Sequence, residues 1–236
     1  MCVMALSAAF ACTKSQTDGS GQVSFEISGK YEVTDQTRSN VSDYTTLPST
    51  GDFMISVSST SSAYSWNGKI SEWDSSASLP AGNYKVTADY GSLSEEGFDK
   101  PFFTGSSDFA IIGGQVTSVP VSVSLGNTVV LVRCTDSFKN YYKDYSFELT
   151  RSGSTLATFA KGENKGAFVD GYRFTLEGTV AGPTKTQTFS KEYTSLNEAT
   201  AYTFLFDVSN VGGSTITVTF NDNVETIDLG DVELND

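Results

Sequence analysis

The sequence predicts an all-β fold of two tandem antiparallel β-sandwiches, Greek-key units of transthyretin- or immunoglobulin-like type, and three observations carry that reading. From residue 22 onward, β-branched and aromatic residues alternate with Ser, Thr, Lys or Asp at period two, the pattern of strands with one buried face. The apolar runs are short and are separated by turns rich in Gly, Asn, Asp and Pro, as in sandwiches. A length of 236 residues is enough for two cores. The alternation restarts at Gly126-Asn127, which divides the chain into an N-terminal sandwich over 22–125 and a C-terminal sandwich over 126–236.

In order along the first unit, "VSFEI" turns Val23, Phe25 and Ile27 inward, and "FMISV" does the same with Phe53, Ile55 and Val57. "YSWNGKISEW" places Asn67-Gly68 between two such runs, a hairpin signal because both residues tolerate positive φ. "LPAGNYKVTADYG" is a turn followed by Tyr84, Val86, Ala88 and Tyr90 in phase. "VPVSVSL" closes the unit with Val119, Val121, Val123 and Leu125. Pro120 lacks a backbone N–H, so this strand is expected at an edge or at a bulge.

The second unit opens with "NTVVLVRC" and continues through "YSFELT", "YRFTLEG", "AYTFLFDV", "STITVTF" and "VETIDLGDVEL", with turns at "NVGGS" and "NDN". Only "DSFKNYYKDY" departs from period two. Phe138, Tyr141, Tyr142 and Tyr145 fall at helical spacing behind Asp136 or Ser137 as N-cap, which predicts one or two helical turns.

Composition excludes several function classes. The chain has 15 Lys and Arg against 28 Asp and Glu, a net charge of −13, so it repels phosphate backbones and nucleic acid is not an expected partner. There is no histidine, which removes His-based nucleophile activation and histidine metal sites. Cys134 ends an apolar run and reads as a buried strand cysteine. "FNDNVE" lacks the spacing and glycine of a calcium loop. No cofactor or metal is expected.

The other cysteines, Cys2 and Cys12, belong to the opening segment. Residues 1–11 are apolar and small, too few to span a bilayer. Ala9-Phe10-Ala11-Cys12 resembles a bacterial lipobox, which implies that 1–11 is the end of a lipoprotein signal peptide truncated at its start, since no basic residue leads it. Cys12 would then be the lipidated first residue of the mature chain, and the polar stretch 12–21 a flexible tether. The alternative is that 1–11 forms a buried first strand. The lipobox reading places the protein on a bacterial outer membrane, lipid-anchored and at the cell surface.

Taken in order, "LPAGNYKVTADYG", "EEGFDKPFFTGSSDFAI", "VSVSLGNTVVLV", "DSFKNYYKDYSFELT" and "KGAFVDG" resemble an uncharacterised domain family of lipoproteins from Bacteroidetes-type bacteria, over most of residues 20–180. That family has no assigned activity. The layout, a lipobox followed by two β-sandwiches, is similar to fimbrillin-like surface proteins, which implies adhesion or assembly by strand addition to a sheet edge. By the same analogy Arg38 is a candidate processing site, against the plainer reading of a solvated loop arginine.

The candidate site is aromatic. Tyr64, Trp66 and Trp73 offer faces for sugar rings, with Asn67, Glu72 and Asp74 to take hydroxyls; the alternative is that both tryptophans pack into the core. Phe98, Phe102 and Phe103 are expected to plug one end of the first unit. Carboxylates at Glu95 and Glu96, or Asp222 and Glu225, are candidate acid and base pairs for a glycosidase, but such pairs are common in acidic turns by chance. The expectation is therefore a non-enzymatic surface lipoprotein for cell adhesion, with a glycan-binding lipoprotein of a polysaccharide-capture system as the alternative.

Overall fold

The computed structural model describes residues 19–34, 40–208, 215–220 and 223–228. The segment 1–11, the lipidation at Cys12, the tether as far as residue 18, Arg38, Asp222 and the turns at "NVGGS" and "NDN" lie outside the described residues. Among the described residues no helix is long and apolar enough to cross a membrane.

The first half contributes β1 (Ser20–Lys30), β2 (Met54–Ser59), β3 (Ser65–Lys69), β4 (Leu79–Pro80), β5 (Gly82–Tyr90), β6 (Gly97–Phe98), β7 (Phe103–Ile111) and β8 (Val116–Leu125). The second contributes β9 (Thr128–Cys134), α1 (Asp136–Tyr141), β10 (Asp144–Arg151), β11 (Ser154–Ala160), β12 (Ala167–Val169), β13 (Arg173–Ala181), β14 (Thr186–Thr194), β15 (Ala201–Val208), β16 (Thr215–Phe220) and β17 (Asn223–Asp228). The chain is all-β and its strands build two sandwiches.

In the first sandwich the strands run β3-β2-β5-β7-β8-β1-β4. Ile55, Val57, Tyr84, Val86 and Ala88 from one side, and Val23, Val119, Val121, Val123 and Leu125 from the other, share one core. The alternation read in the sequence is the cause, because successive side chains of a strand point to opposite faces. The sheet turns on itself where β7 meets β8. Their ladder is confined to Phe103 with Leu125 and Thr104 with Ser124, and a Cβ on Gly105 would collide with the Ser122 carbonyl. β8 lies between β7 and β1 in the strand order, but Pro120 is outside the β7 ladder and in register only with Glu26 of β1, a locally edge-like position where the missing N–H costs no bond to β7.

In the second sandwich a four-stranded sheet, β11-β10-β13-β14, packs on a six-stranded one, β17-β16-β15-β9-β12-β6. Two of the pairings are parallel, β1 with β8 and β15 with β9. Both join strands far apart in sequence, as parallel neighbours require.

Two local expectations are corrected. Asn67 and Gly68 are not a turn: they lie inside β3, opposite Ser56 and Ile55. The turn falls earlier, where the Ser59 hydroxyl accepts from the N–H groups of Ser61 (3.2 Å) and Ser62 (3.0 Å), a serine-based turn that supplies its own hydrogen bonds. Gly68 is needed for space, since a Cβ there would stand 2.9 Å from the Trp66 indole. The helix of Phe138 is present, but its N-cap is Thr135, whose hydroxyl accepts from the Phe138 N–H at 3.2 Å. Tyr145 belongs to β10 rather than to the helix.

The two sandwiches interlock. β9 is buried on both faces, with Val129 and Leu131 in the first core and Val130 and Val132 in the second. Phe168 of β12 likewise joins the first core while Ala167 and Val169 join the second. In the other direction, β6 from the first half pairs with β12 in the second sandwich's sheet. Phe103 fills the first core as expected, whereas Phe98 packs on the second, its ring 5.1 Å from Phe159.

Candidate functional site

Tyr64, Trp66 and Trp73 gather at one margin of the first sandwich, each half-buried against its core. Tyr64 and Trp66 share a face of the chain because they are two residues apart in an extended segment. A short 3-10 turn over Ile70–Glu72 then brings Trp73 back against Trp66, centroids 5.0 Å apart and planes at 84°. Edge-to-face geometry is the favoured one for aromatic quadrupoles. Trp73 also meets Phe25 at 5.1 Å, and its indole N–H donates to the Val23 carbonyl at 3.0 Å. Trp73 thus joins the margin of β3 to β1.

Of the polar candidates only Glu72 stays near these rings, its carboxylate and the Trp66 indole both lying about the space a Cβ on Gly68 would take. Asn67 alternates to the opposite face of β3, where its amide donates to the Ser56 hydroxyl. One oxygen of Asp74 accepts from the Ser76 N–H at 2.9 Å and hydroxyl at 2.6 Å. Those bonds favour the ionised form and hold the Asp74 carboxyl below its ordinary range. Glu72 accepts from the Lys69 N–H at 3.3 Å. The two tryptophans named from the sequence do meet, while Asn67 and Asp74 bond to Ser56 and Ser76 instead.

The acidic pair of the first half is committed as well. Glu95 forms an exposed ion pair with Lys100 at 3.2 Å. Glu96, its side chain 7% exposed, is paired with Arg151, and its second oxygen accepts from the Asp170 N–H at 2.7 Å. Arg151 donates further to the carbonyls of Asp170 (2.6 Å) and Arg173 (2.7 Å). Burial outweighs these partners and raises the Glu96 pKa. Among the described residues no group of His, Cys, Asp and Glu is arranged to hold a metal ion. Cys134 is half-buried, and burial pushes its thiol up to about 12, far from the thiolate form a nucleophile needs.

Sequence reasoning missed Arg151 because its partner lies 55 positions earlier. The available signal was an arginine at the end of an apolar strand, where a charge needs a reason to be half-buried.

The fold and these contacts define a two-sandwich β protein whose conspicuous polar and aromatic side chains are largely engaged within the chain. The chain belongs to the family described as Domain of unknown function (DUF4493), which matches residues 19–235. No curated protein matches it. Solved structures of similar course include a "putative cell adhesion protein" from Bacteroides ovatus ATCC 8483 (12% identity, 91% of this chain and 99% of that one, TM-score 0.47). Another is described as "putative polysaccharide binding proteins" from Bacteroides thetaiotaomicron VPI-5482 (11% identity, 89% and 99%, TM-score 0.41). A third is a "fimbrial assembly protein" from Parabacteroides distasonis ATCC 8503 (8% identity, 75% and 90%, TM-score 0.43).

Proposed function

We propose that this chain is a non-enzymatic adhesion protein displayed on a bacterial surface, lipid-anchored at Cys12, with the polar stretch that starts there as its tether up to β1, which opens at Ser20, and with the two interlocked sandwich units presented beyond it. The observation that carries this reading is the interlock between the sandwiches. A strand shared across the halves, a doubly buried β9 and the Glu96–Arg151 pair make a stiff two-unit body, which suits load-bearing display. Among the described residues, the carboxylates weighed for catalysis, Glu95 and Glu96, are engaged with Lys100 and Arg151. Contact with protein subunits by strand addition has a physical basis in β14, the nine-residue terminal strand of its sheet.

The test is surface exposure and adherence in the source bacterium. The proposal expects the chain to be cleaved by protease added to intact cells, a fatty-acid label to depend on Cys12, and a deletion strain to lose adherence that the restored gene returns. Protection from protease on intact cells together with normal adherence of the deletion strain contradicts it.

A second reading, glycan capture, is favoured by one observation: Trp66 and Trp73 meet edge to face and are half-exposed, with Tyr64 half-exposed on the same face of the chain as Trp66. It expects saturable binding on a glycan array that Trp66→Ala abolishes.

A further inference from the structure

In a chain with 15 cationic and 28 acidic side chains, one depression on the second sandwich collects cations. It lies between α1 and the β11–β12 connection, has a volume of about 60 Å³, and is lined in part by Arg133, Lys139, Glu163 and Asn164 beside Tyr145. Lys161 stands beside it, its ammonium 5.9 Å from the centre of the Tyr145 ring and donating to the Lys143 carbonyl at 2.6 Å. Three cations, Arg133 of β9, Lys139 of α1 and Lys161 of the β11–β12 connection, therefore come from three separate elements to one place.

Their charges are poorly compensated. Arg133 spends its guanidinium on two carbonyls, Val132 and Asn164, both at 3.0 Å. Among the described residues neither it nor Lys161 has a carboxylate partner within ion-pair reach. Lys139 meets only Asp136, at 3.6 Å, and that carboxylate is 95% exposed, an arrangement of little energetic weight. Arg133 is held from both sides by the strand and by the Asn164 carbonyl, so its position is fixed before any ligand arrives, which lowers the cost of binding.

We propose that this depression binds the carboxylate of an acidic saccharide, one uronic acid residue of a longer glycan. The cations take the carboxylate. Glu163, whose Oε1 is oriented by the N–H groups of Asn164 and Lys165 at 2.8 Å each, lines the same space and accepts from ring hydroxyls; the Asn164 amide beside it is held by its bond to the Gly162 carbonyl at 3.1 Å. A carboxylate beside cations suits a ligand that carries both an anionic group and hydroxyl donors. It opposes a dense polyanion, which would also meet the net charge of −13. At about 60 Å³ the depression holds the carboxylate, and the sugar ring lies across its rim. The proposal gives the surface-display reading a ligand class, and a test in solution is independent of anchoring.

The experiment is calorimetric titration of the full chain with a trigalacturonate and with its methyl ester. Saturable binding of the acid is expected, with weakening as salt rises and no binding of the ester. Lys139→Gln with Lys161→Gln is expected to weaken binding about tenfold or more without lowering the melting temperature, while the corresponding pair of arginine substitutions retains it. Absence of saturable binding, equal binding of the ester, full affinity in the double glutamine variant, or equal displacement by a glutamate peptide of matching charge overturns the proposal.

Discussion

Glu96, from the first half of the chain, is ion-paired with Arg151 at the end of β10 in the second sandwich, and only 7% of the carboxylate side chain is exposed. Breaking such a pair from one side leaves the other charge buried without a partner. Arg151→Ala is therefore expected to destabilise the protein by about 3 kcal/mol, because Arg151 also binds two carbonyls. Adding Glu96→Gln to it recovers part of that loss by removing the stranded charge. Urea denaturation of the two single variants and the double variant checks this through their non-additivity.

The same carboxylate makes a signed prediction about pH. Its folded pKa is raised above the ordinary 4.5 by burial, so the folded chain holds this proton where the unfolded chain has released it. The stability this group contributes is fully present below its unfolded pKa and is lost as pH rises through the raised value. The stability of the natural protein relative to Glu96→Gln should therefore fall as pH rises from about 4 towards neutrality. Melting curves of both proteins across that range test it, and a difference that grows with pH contradicts it.

Phe98 is the apolar counterpart of the pair. It enters the second core from β6, a strand of the first half, with its ring 5.1 Å from Phe159. Phe98→Ala removes a half-buried ring and is expected to cost about 2 kcal/mol. Hydrogen exchange should show the loss of protection at β11 and β12 before it shows any in β2 or β5.

Trp73 and Gly68 test the aromatic margin. Trp73→Phe keeps the ring contact with Trp66 and Phe25 but loses the bond to the Val23 carbonyl, an expected cost of about 1 kcal/mol. Gly68→Val forces the Trp66 indole off the strand. It should shift the tryptophan emission to longer wavelength as well as lower stability; unchanged emission contradicts the position assigned to Trp66.

Much of the fold was legible because period-two alternation states which face of a strand is buried. Val119, Val121, Val123 and Leu125 are core residues for that reason, and the restart at Gly126 falls on the link between β8 and β9. Alternation is silent about partners. It could not show that β1 runs parallel to β8, or that two residues at 97 and 98 cross into the other sandwich. Asn67-Gly68 misled because local turn propensity lost to a serine turn nearby and to the space Trp66 requires. The aromatics of the candidate site were readable as a cluster on one face. Their polar neighbours were not, since Asp74 and Asn67 satisfy themselves locally. The cations around Arg133 escaped notice because α1 and the β11–β12 connection assemble them from positions far apart.

The central claim is that the two sandwiches form one interlocked body, and the placement of the tryptophans provides the direct measurement. Both lie in the first sandwich, at positions 66 and 73, so their fluorescence reports that unit, whereas far-ultraviolet circular dichroism reports strands of both. In equilibrium urea unfolding the two signals should trace a single transition with the same midpoint and slope. Two separated transitions, with the tryptophan signal changing while much of the strand signal persists, would contradict the interlock and the stiff display body built on it.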